Sequence, residues 1–146
     1  MHFVQAAAVV LCLATLGPAA SLAADIKHDV EAAYASFNTA FNKGDAKAVA
    51  SAYVPDAKVL PPSHDVASGP VEIAKFFAGL FAGGFTDHKL EIVDVGGDDK
   101  VVFSAARWSA KGKGADGTLQ NFGGLATHVF ERQADGALKL KVHTFN

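Results

Sequence analysis

The chain has 146 residues, of which 50% are hydrophobic and 19% are charged, and its formal net charge is −2. This composition excludes an intrinsically disordered chain, which combines low hydrophobicity with high net charge. It also argues against a nucleic-acid-binding protein, which carries a basic excess. A chain of this length is expected to form a single domain with a substantial hydrophobic core.

Residues 1–23 are predicted to be a secretory signal peptide. A short apolar run ends at Gly17 and Pro18, and small residues, Ser21 and Ala23, precede the predicted cleavage site. The alternative is an N-terminal membrane anchor, but the run is shorter than the ~20 residues that cross a bilayer. We therefore expect a periplasmic or secreted protein with one domain over residues 24–146 and no membrane contact after cleavage.

The only cysteine, Cys12, lies within the predicted signal peptide. The mature chain is therefore expected to have no disulfide and no thiol nucleophile. Its histidines show neither an i, i+4 pair nor an HExxH motif, so we expect no metal site, and nothing in the sequence calls for a cofactor.

Three helices are predicted from hydrophobic periodicity, over residues 26–42, 46–53 and 71–81. Gly44 suits the end of the first helix and Asp45 suits the N-cap of the second, because glycine tolerates positive φ and aspartate accepts from free N–H groups. These signals predict two consecutive helices joined by a tight turn.

Strands are predicted at residues 58–60, 88–95, 100–111, 118–131 and 137–145. The last of these alternates apolar and polar residues, which is typical of a strand with one buried face. Helices followed by antiparallel strands with short turns indicate an α+β fold in which the helices cover one face of the sheet.

Four segments carry a family resemblance: AFNKGD at 40–45, YVPDAKVLPP at 53–62, GPVEI at 69–73 and VHTFN at 142–146. In order and spacing they resemble the nuclear-transport-factor-2-like (NTF2-like) superfamily, in particular small exported SnoaL-like and ketosteroid-isomerase-like bacterial members of unassigned function. The resemblance implies a cystatin-like cone, in which a curved antiparallel sheet wraps around three N-terminal helices, and a homodimer formed through the outer sheet face.

The isomerase residues of that superfamily are not matched here. By the resemblance, the base carboxylate falls near Pro61, and the tyrosine that donates to the oxyanion falls near Phe37 rather than Tyr34. The strand at 118–130 holds no acidic residue for the second donor. Whether the protein is an enzyme is therefore left open.

Two assumed hairpin registers predict which residues of the long strands face the helices. A turn at 132–136 would pair His128 with Leu140 and Phe130 with Leu138. This register places Leu140 and His128 inside and places Lys139, Lys141 and His143 on the outer face.

A turn that pairs Lys111 with Gly117 would pair Trp108 with Gln120. Together the registers predict a cavity wall of Trp108, Gln120, Phe122 and His128. The alternative is that His128 is a hydrogen-bonded core histidine and that the tryptophan is simply packed.

The sequence therefore predicts an exported protein that binds a small apolar molecule in an aromatic-lined cone cavity. One alternative is a cofactor-independent isomerase, cyclase or dehydratase with His128 as the acid–base group, together with Tyr34 or Tyr53. Another is a homodimerising association module with a filled cone. The predicted ligand-binding residues are Tyr34, Phe37, Phe41, Tyr53, Phe77, Trp108, Gln120, Phe122 and His128.

Overall fold

Three helices are present in the computed structural model, which describes residues 18–146 and their side chains from Leu22 onward. They are α1 (Pro18–Asn42), α2 (Ala46–Ser51) and α3 (Gly69–Ala82). The predicted signal peptide lies mostly outside the described residues, and its cleavage stays a prediction. Within the described part of the chain, no helix has the length and apolar character needed to cross a bilayer.

The helix boundaries follow from the capping residues that the sequence provides. The side chain of Asp45 accepts a hydrogen bond of 2.9 Å from the backbone N–H of Ala48, which satisfies a free donor at the start of α2. Gly44 has φ of 66°, a conformation that favours glycine at the end of a helix. Pro70 occupies the first turn of α3, where its missing N–H is harmless.

Within residues 18–146, six strands form one curved, unclosed sheet in the order β2-β1-β6-β5-β4-β3. The strands are β1 (Tyr53–Leu60), β2 (Ala67–Ser68), β3 (Thr86–Gly97), β4 (Val101–Lys113), β5 (Leu119–Arg132) and β6 (Leu138–Phe145). All neighbours are antiparallel except β1 and β6, which are parallel. The α+β prediction is confirmed.

Tyr53 begins β1 rather than ending the second helix, which corrects one predicted boundary. Pairing with β6 explains the change: the backbone N–H of Leu140 donates to the carbonyl oxygen of Ala52 at 2.8 Å, and Tyr53 is the partner of Leu140. A tertiary contact from the far end of the chain therefore decides the local structure at this position.

The β4–β5 register differs from the predicted one by an even number of residues. The turn lies at Gly114–Thr118, where the backbone N–H of Gly114 donates to the oxygen of Thr118 at 2.9 Å. β4 therefore extends to Lys113, within the GKGADG segment, and Trp108 faces Gly124 instead of Gln120. Because side chains alternate with a period of two, the predicted inner and outer faces of both strands are retained.

A β-bulge at Lys141 changes the predicted facing of β6. Phe130 pairs with Leu140, but the neighbouring Val129 pairs with Val142, so Lys141 is the extra residue. His128 consequently pairs with His143, and His143 turns to the inner face with only 6% exposure. The prediction that His143 lies outside is wrong because the bulge reverses the alternation.

The core lies between the inner face of the sheet, which is the face covered by the helices, and α1 and α3. Asp29 on α1 pairs with Arg132 at the end of β5 at 2.6 Å, which joins the helix to the sheet at the edge of this core. This core is built from buried aromatic and branched side chains, among them Ile26, Val30, Phe37, Phe41, Val59, Ile73, Phe77, Val102 and Phe130.

Candidate functional site

A cavity of about 270 Å³ remains between α1, α3 and the inner face of the sheet. Its wall is built mostly from aromatic rings, with Pro61 and Pro62 at one side and Ala110 on β4. The aromatic lining residues are Phe37, Phe41, Phe76, Phe77, Phe85, Trp108, Phe122 and Phe145. Such a concave apolar surface is the usual form of a small-molecule site.

Five of the predicted ligand-binding residues are brought together in this wall. They are Phe37 and Phe41 on α1, Phe77 on α3, Trp108 on β4 and Phe122 on β5. Their binding role stays a prediction, but their placement follows from the helical stripe and from strand alternation. The even register shift is why Trp108 and Phe122 still face inward.

Tyr34, Tyr53 and His128 lie behind the wall rather than in it. Tyr34 and His128 instead border a second cavity of about 390 Å³ between α1, α2 and the β5–β6 turn. Tyr53 is buried at 3% exposure behind His143. His128 faces inward but is a hydrogen-bonded core histidine, which is the alternative interpretation of the sequence. Its cross-strand partner His143 lies in the wall instead.

Gln120 is outside the site altogether. It pairs with Gly112 near the end of the β4–β5 hairpin, where it is exposed, and its Nε2 donates to Asp116 Oδ1 at 3.3 Å. The register shift explains the error, because the residue that faces Trp108 is Gly124.

Trp108 is held in the wall by Phe145, the last residue of β6, and by Asn146, which follows it. Its Nε1–H donates to the backbone oxygen of Asn146 at 3.1 Å, and its ring lies 5.7 Å from Phe145 in an edge-to-face arrangement. Gly124 permits this approach, since a Cβ there would lie 2.2 Å from the Asn146 oxygen and 3.0 Å from the indole nitrogen.

His88 and His143 line the cavity, and neither was among the predicted site residues. His88 is held by α1: its backbone N–H donates to Asn42 Oδ1 at 2.7 Å, and its carbonyl accepts from Asn42 Nδ2 at 3.0 Å. Its Nδ1 is 2.7 Å from Asn38 Oδ1, and its ring stacks on Phe41 at 4.4 Å. The stripe of asparagines beside the apolar face of α1 was the only sequence signal for this arrangement.

Two tyrosine–histidine pairs lie on the inner face of β5 and β6. Tyr34 Oη is 2.7 Å from His128 Nδ1 and also donates to Ser104 Oγ at 2.9 Å. Tyr53 Oη is 2.7 Å from His143 Nδ1. These hydrogen bonds satisfy polar atoms that would otherwise be costly to bury.

Burial keeps all of these groups neutral at pH 7. It lowers the pKa of His88 to about 4 and, with a smaller contribution from His88, lowers the pKa of His128 to about 3. Burial and the two neighbouring histidines hold the pKa of His143 well below its ordinary value. Burial also raises the pKa of Tyr34 to about 12, although its bond to Ser104 opposes the shift.

The chemistry available at the wall is therefore that of neutral imidazoles in an apolar surround. No carboxylate is among the described residues that line the cavity, and Pro61 and Phe37, where the sequence resemblance would place the isomerase groups, both lie in its wall. Within residues 18–146, no cluster of three His, Cys, Asp or Glu side chains is arranged to hold a metal ion.

Comparison with known families assigns the fold. The sequence model of the SnoaL-like domain family matches residues 33–140, which is most of the chain. The chain belongs to the SnoaL-like family. No match was found among curated proteins.

Solved structures of NTF2-like proteins resemble this SnoaL-like chain. A ketosteroid isomerase-like protein from Erwinia carotovora atroseptica has 22% identity and a TM-score of 0.71, covering 81% of this chain and 92% of its own. An NTF2-like protein with a cystatin-like fold from Novosphingobium aromaticivorans has 17% identity and a TM-score of 0.69, covering 84% and 81%. An NTF2-like superfamily protein from Salmonella enterica has 13% identity and a TM-score of 0.69, covering 84% and 91%. At these identities the likeness shows the fold alone.

Proposed function

We propose that this SnoaL-like protein binds a small, largely apolar molecule in the cavity between α1, α3 and the sheet. The observation that carries the proposal is the mainly aromatic wall around a cavity of about 270 Å³. A dry apolar cavity of about 150 Å³ is large enough to bind benzene, so this space suits a molecule of one or two rings. Burial of the molecule's apolar surface would supply the binding free energy.

The experiment that tests this proposal uses 4-isopropyltoluene, a one-ring hydrocarbon, as the probe. Trp108 is the only tryptophan in the chain and lies in the wall, so its fluorescence reports occupancy of the cavity. We expect saturable quenching or a spectral shift of this fluorescence, and a rise in melting temperature with probe concentration. Absence of both effects up to the solubility limit of the probe would contradict the proposal.

A second candidate function is cofactor-independent acid–base catalysis, and the position of His143 in the cavity wall, with Tyr53 bonded to it from behind, favours His143 over the predicted use of His128. Neutral His143, held by the Tyr53 hydroxyl at 2.7 Å, is oriented to donate a hydrogen bond from Nε2 to the carbonyl oxygen of a bound ketone, and the α-proton of the ketone would leave to water. The test is turnover of enolisable ketones: catalysis should disappear in His143→Phe and persist in His128→Phe. Equal activity in both variants would reject it.

We also propose export and self-association. Export predicts that the protein recovered from the periplasm or medium begins at Ala24, which N-terminal sequencing measures. An intact Met1 start there would contradict export.

Self-association would bury Phe103 and Leu125, which are 45% and 53% exposed on the outer face of the sheet. The partner is then a second copy of this chain.

A further inference from the structure

His88 and His143 are the two titratable side chains in the aromatic wall of the cavity. Their rings lie 5.6 Å and 6.1 Å from the ring centroid of Phe37, which is itself part of the wall. A one-ring or two-ring molecule that covers Phe37 can therefore reach both imidazoles. Each ring already uses Nδ1 for a hydrogen bond within the protein, so Nε2 is the nitrogen left for a ligand.

The hydrogen-bond partner of His88 on α1 determines which of its ring nitrogens carries the proton. Asn38 Oδ1, 2.7 Å from Nδ1, is a carbonyl oxygen and can only accept, so His88 carries its proton on Nδ1. In a neutral imidazole the other nitrogen then has a free lone pair. His88 Nε2 is therefore a hydrogen-bond acceptor.

The proton of His143 lies on the opposite nitrogen. The hydroxyl of Tyr53 is buried, and His143 Nδ1 is its one side-chain partner among the described residues. A buried hydroxyl that did not donate would leave its proton unsatisfied, which is costly, so Tyr53 donates and Nδ1 accepts. The proton of neutral His143 is consequently on Nε2, which is a hydrogen-bond donor.

Neither Nε2 atom is sealed from solvent inside the protein. Across residues 22–146, every side-chain nitrogen and oxygen that is sealed from solvent has a hydrogen-bond partner. No protein partner is found in that part of the chain for Nε2 of His88 or of His143, so neither atom is sealed. Their neutral state also disfavours an anionic ligand, which would lack a counter-charge in this wall.

We propose that the ligand of the cavity is a neutral one-ring or two-ring molecule that presents a hydroxyl or N–H donor to His88 and a carbonyl-type acceptor to His143. This inference rests on the proposed function, because it assumes that the cavity is a binding site. It adds the polar groups that the molecule must carry and names the two residues that select them.

Four ligands with the same skeleton test the inference. 4-Isopropyltoluene has neither polar group, 4-isopropylphenol has the donor, 4′-methylacetophenone has the acceptor, and 4′-hydroxyacetophenone has both. Affinities of all four are measured by calorimetry for the wild type, His88→Phe and His143→Phe, with the exposed loop variant His64→Phe as control. Comparing variants cancels the different solvation of the four compounds.

The two histidines should bind different polar groups of the ligand. His88→Phe should weaken the phenol about tenfold relative to the hydrocarbon, and His143→Phe should weaken the ketone about tenfold relative to the hydrocarbon. His64→Phe should change neither ratio. His88 also borders a polar groove with Asp87 and Lys111, so an unchanged phenol ratio in His88→Phe would place its Nε2 toward that groove and overturn the inference.

The possible failures are distinguishable. Binding of all four ligands with ratios unaffected by either variant overturns the inference and leaves the proposed function standing, whereas no binding of any ligand rejects both. Should a variant fail to fold, ¹⁵N chemical shifts of the wild-type imidazoles report the protonated nitrogen directly. We expect Nδ1–H for His88 and Nε2–H for His143, and the reverse assignment for either ring overturns the inference.

Discussion

His128 on β5 and His143 on β6 are direct cross-strand partners whose ring centroids lie 4.4 Å apart on the inner face of the sheet. Each ring is hydrogen-bonded through Nδ1 to a tyrosine, Tyr34 for His128 and Tyr53 for His143. Two adjacent buried imidazoles are compatible with folding only while both stay neutral, since protonation of either would bury a charge beside the other ring.

Stability should therefore fall in mild acid. The folded-state pKa is about 4 for His88 and about 3 for His128, both below the unfolded value of about 6.5. The unfolded chain then binds more protons, so stability is fully present above pH 6.5 and is lost as the pH falls toward 4. At pH 5 we expect a loss of about 2 kcal/mol for each of these histidines.

Urea unfolding at pH 7.5, 6 and 5 measures this dependence. His128→Phe removes one titrating group while Tyr34 keeps its bond to Ser104, so it should flatten the pH dependence. The exposed Thr39→Ala variant removes no titrating group and is the control, which should keep the wild-type slope. A wild-type free energy of unfolding that is constant from pH 7.5 to 5 would contradict the buried neutral cluster.

Tyr34→Phe should destabilise the protein through lost hydrogen bonds rather than lost packing. The substitution removes the partner of His128 Nδ1 and a donor to Ser104, both of which are buried. We expect a loss of about 1–3 kcal/mol in the free energy of unfolding. Thr39→Ala removes an exposed hydroxyl bond on the same helix and should be near neutral; equal effects in chemical denaturation would refute the assignment.

Gly124→Ala should displace Trp108 from its position in the cavity wall. The new Cβ would meet the backbone oxygen of Asn146 at 2.2 Å, so the C-terminal residue or the indole must move. We expect a loss of about 1–3 kcal/mol and a shift in tryptophan fluorescence. Gly79→Ala on α3 meets nothing within 4 Å and should instead stabilise the protein by about 0.5–1 kcal/mol. An unshifted fluorescence spectrum in Gly124→Ala would count against this account of the site.

Charge on the outer sheet face should separate the proposed dimer. Phe103→Lys and Leu125→Lys each place an ammonium group at an exposed apolar position on the outer face of the sheet, whereas Val71→Lys places one on α3, at an exposed position away from the sheet. Light scattering should give a dimer mass for the wild type and Val71→Lys, and a monomer mass for the two outer-face variants. A monomeric wild type at the highest attainable concentration would contradict self-association.

The element types were accessible from the sequence because their signals are local. Gly44 and Asp45 mark the turn between the first helices, and the alternation of Leu138 and Leu140 marks the start of the last strand. The apolar stripe of α1 likewise places Phe37 and Phe41 at the cavity. Wherever a helix or strand is regular, its hydrophobic periodicity determines which side chains face the core.

The prediction errors arise where strand pairing or a β-bulge determines the local structure. Nothing local in the sequence specifies that Lys141 bulges outward to pair with Asp56 and Glu131, yet this bulge turns His143 inward. Similarly, the parallel pairing with β6 makes Tyr53 a strand residue. Such features depend on contacts between distant segments, which periodicity alone does not encode.

A matched pair of variants tests whether the aromatic cavity is the binding site. Ala110 is buried on β4 and lines the cavity, whereas Ala105 lies on the outer face of the same strand. Binding of 4-isopropyltoluene is measured by calorimetry for Ala110→Phe and Ala105→Phe, after unfolding curves establish that both are folded. We predict that Ala110→Phe fills the cavity and abolishes binding while Ala105→Phe binds like the wild type; undiminished binding by folded Ala110→Phe would contradict the account.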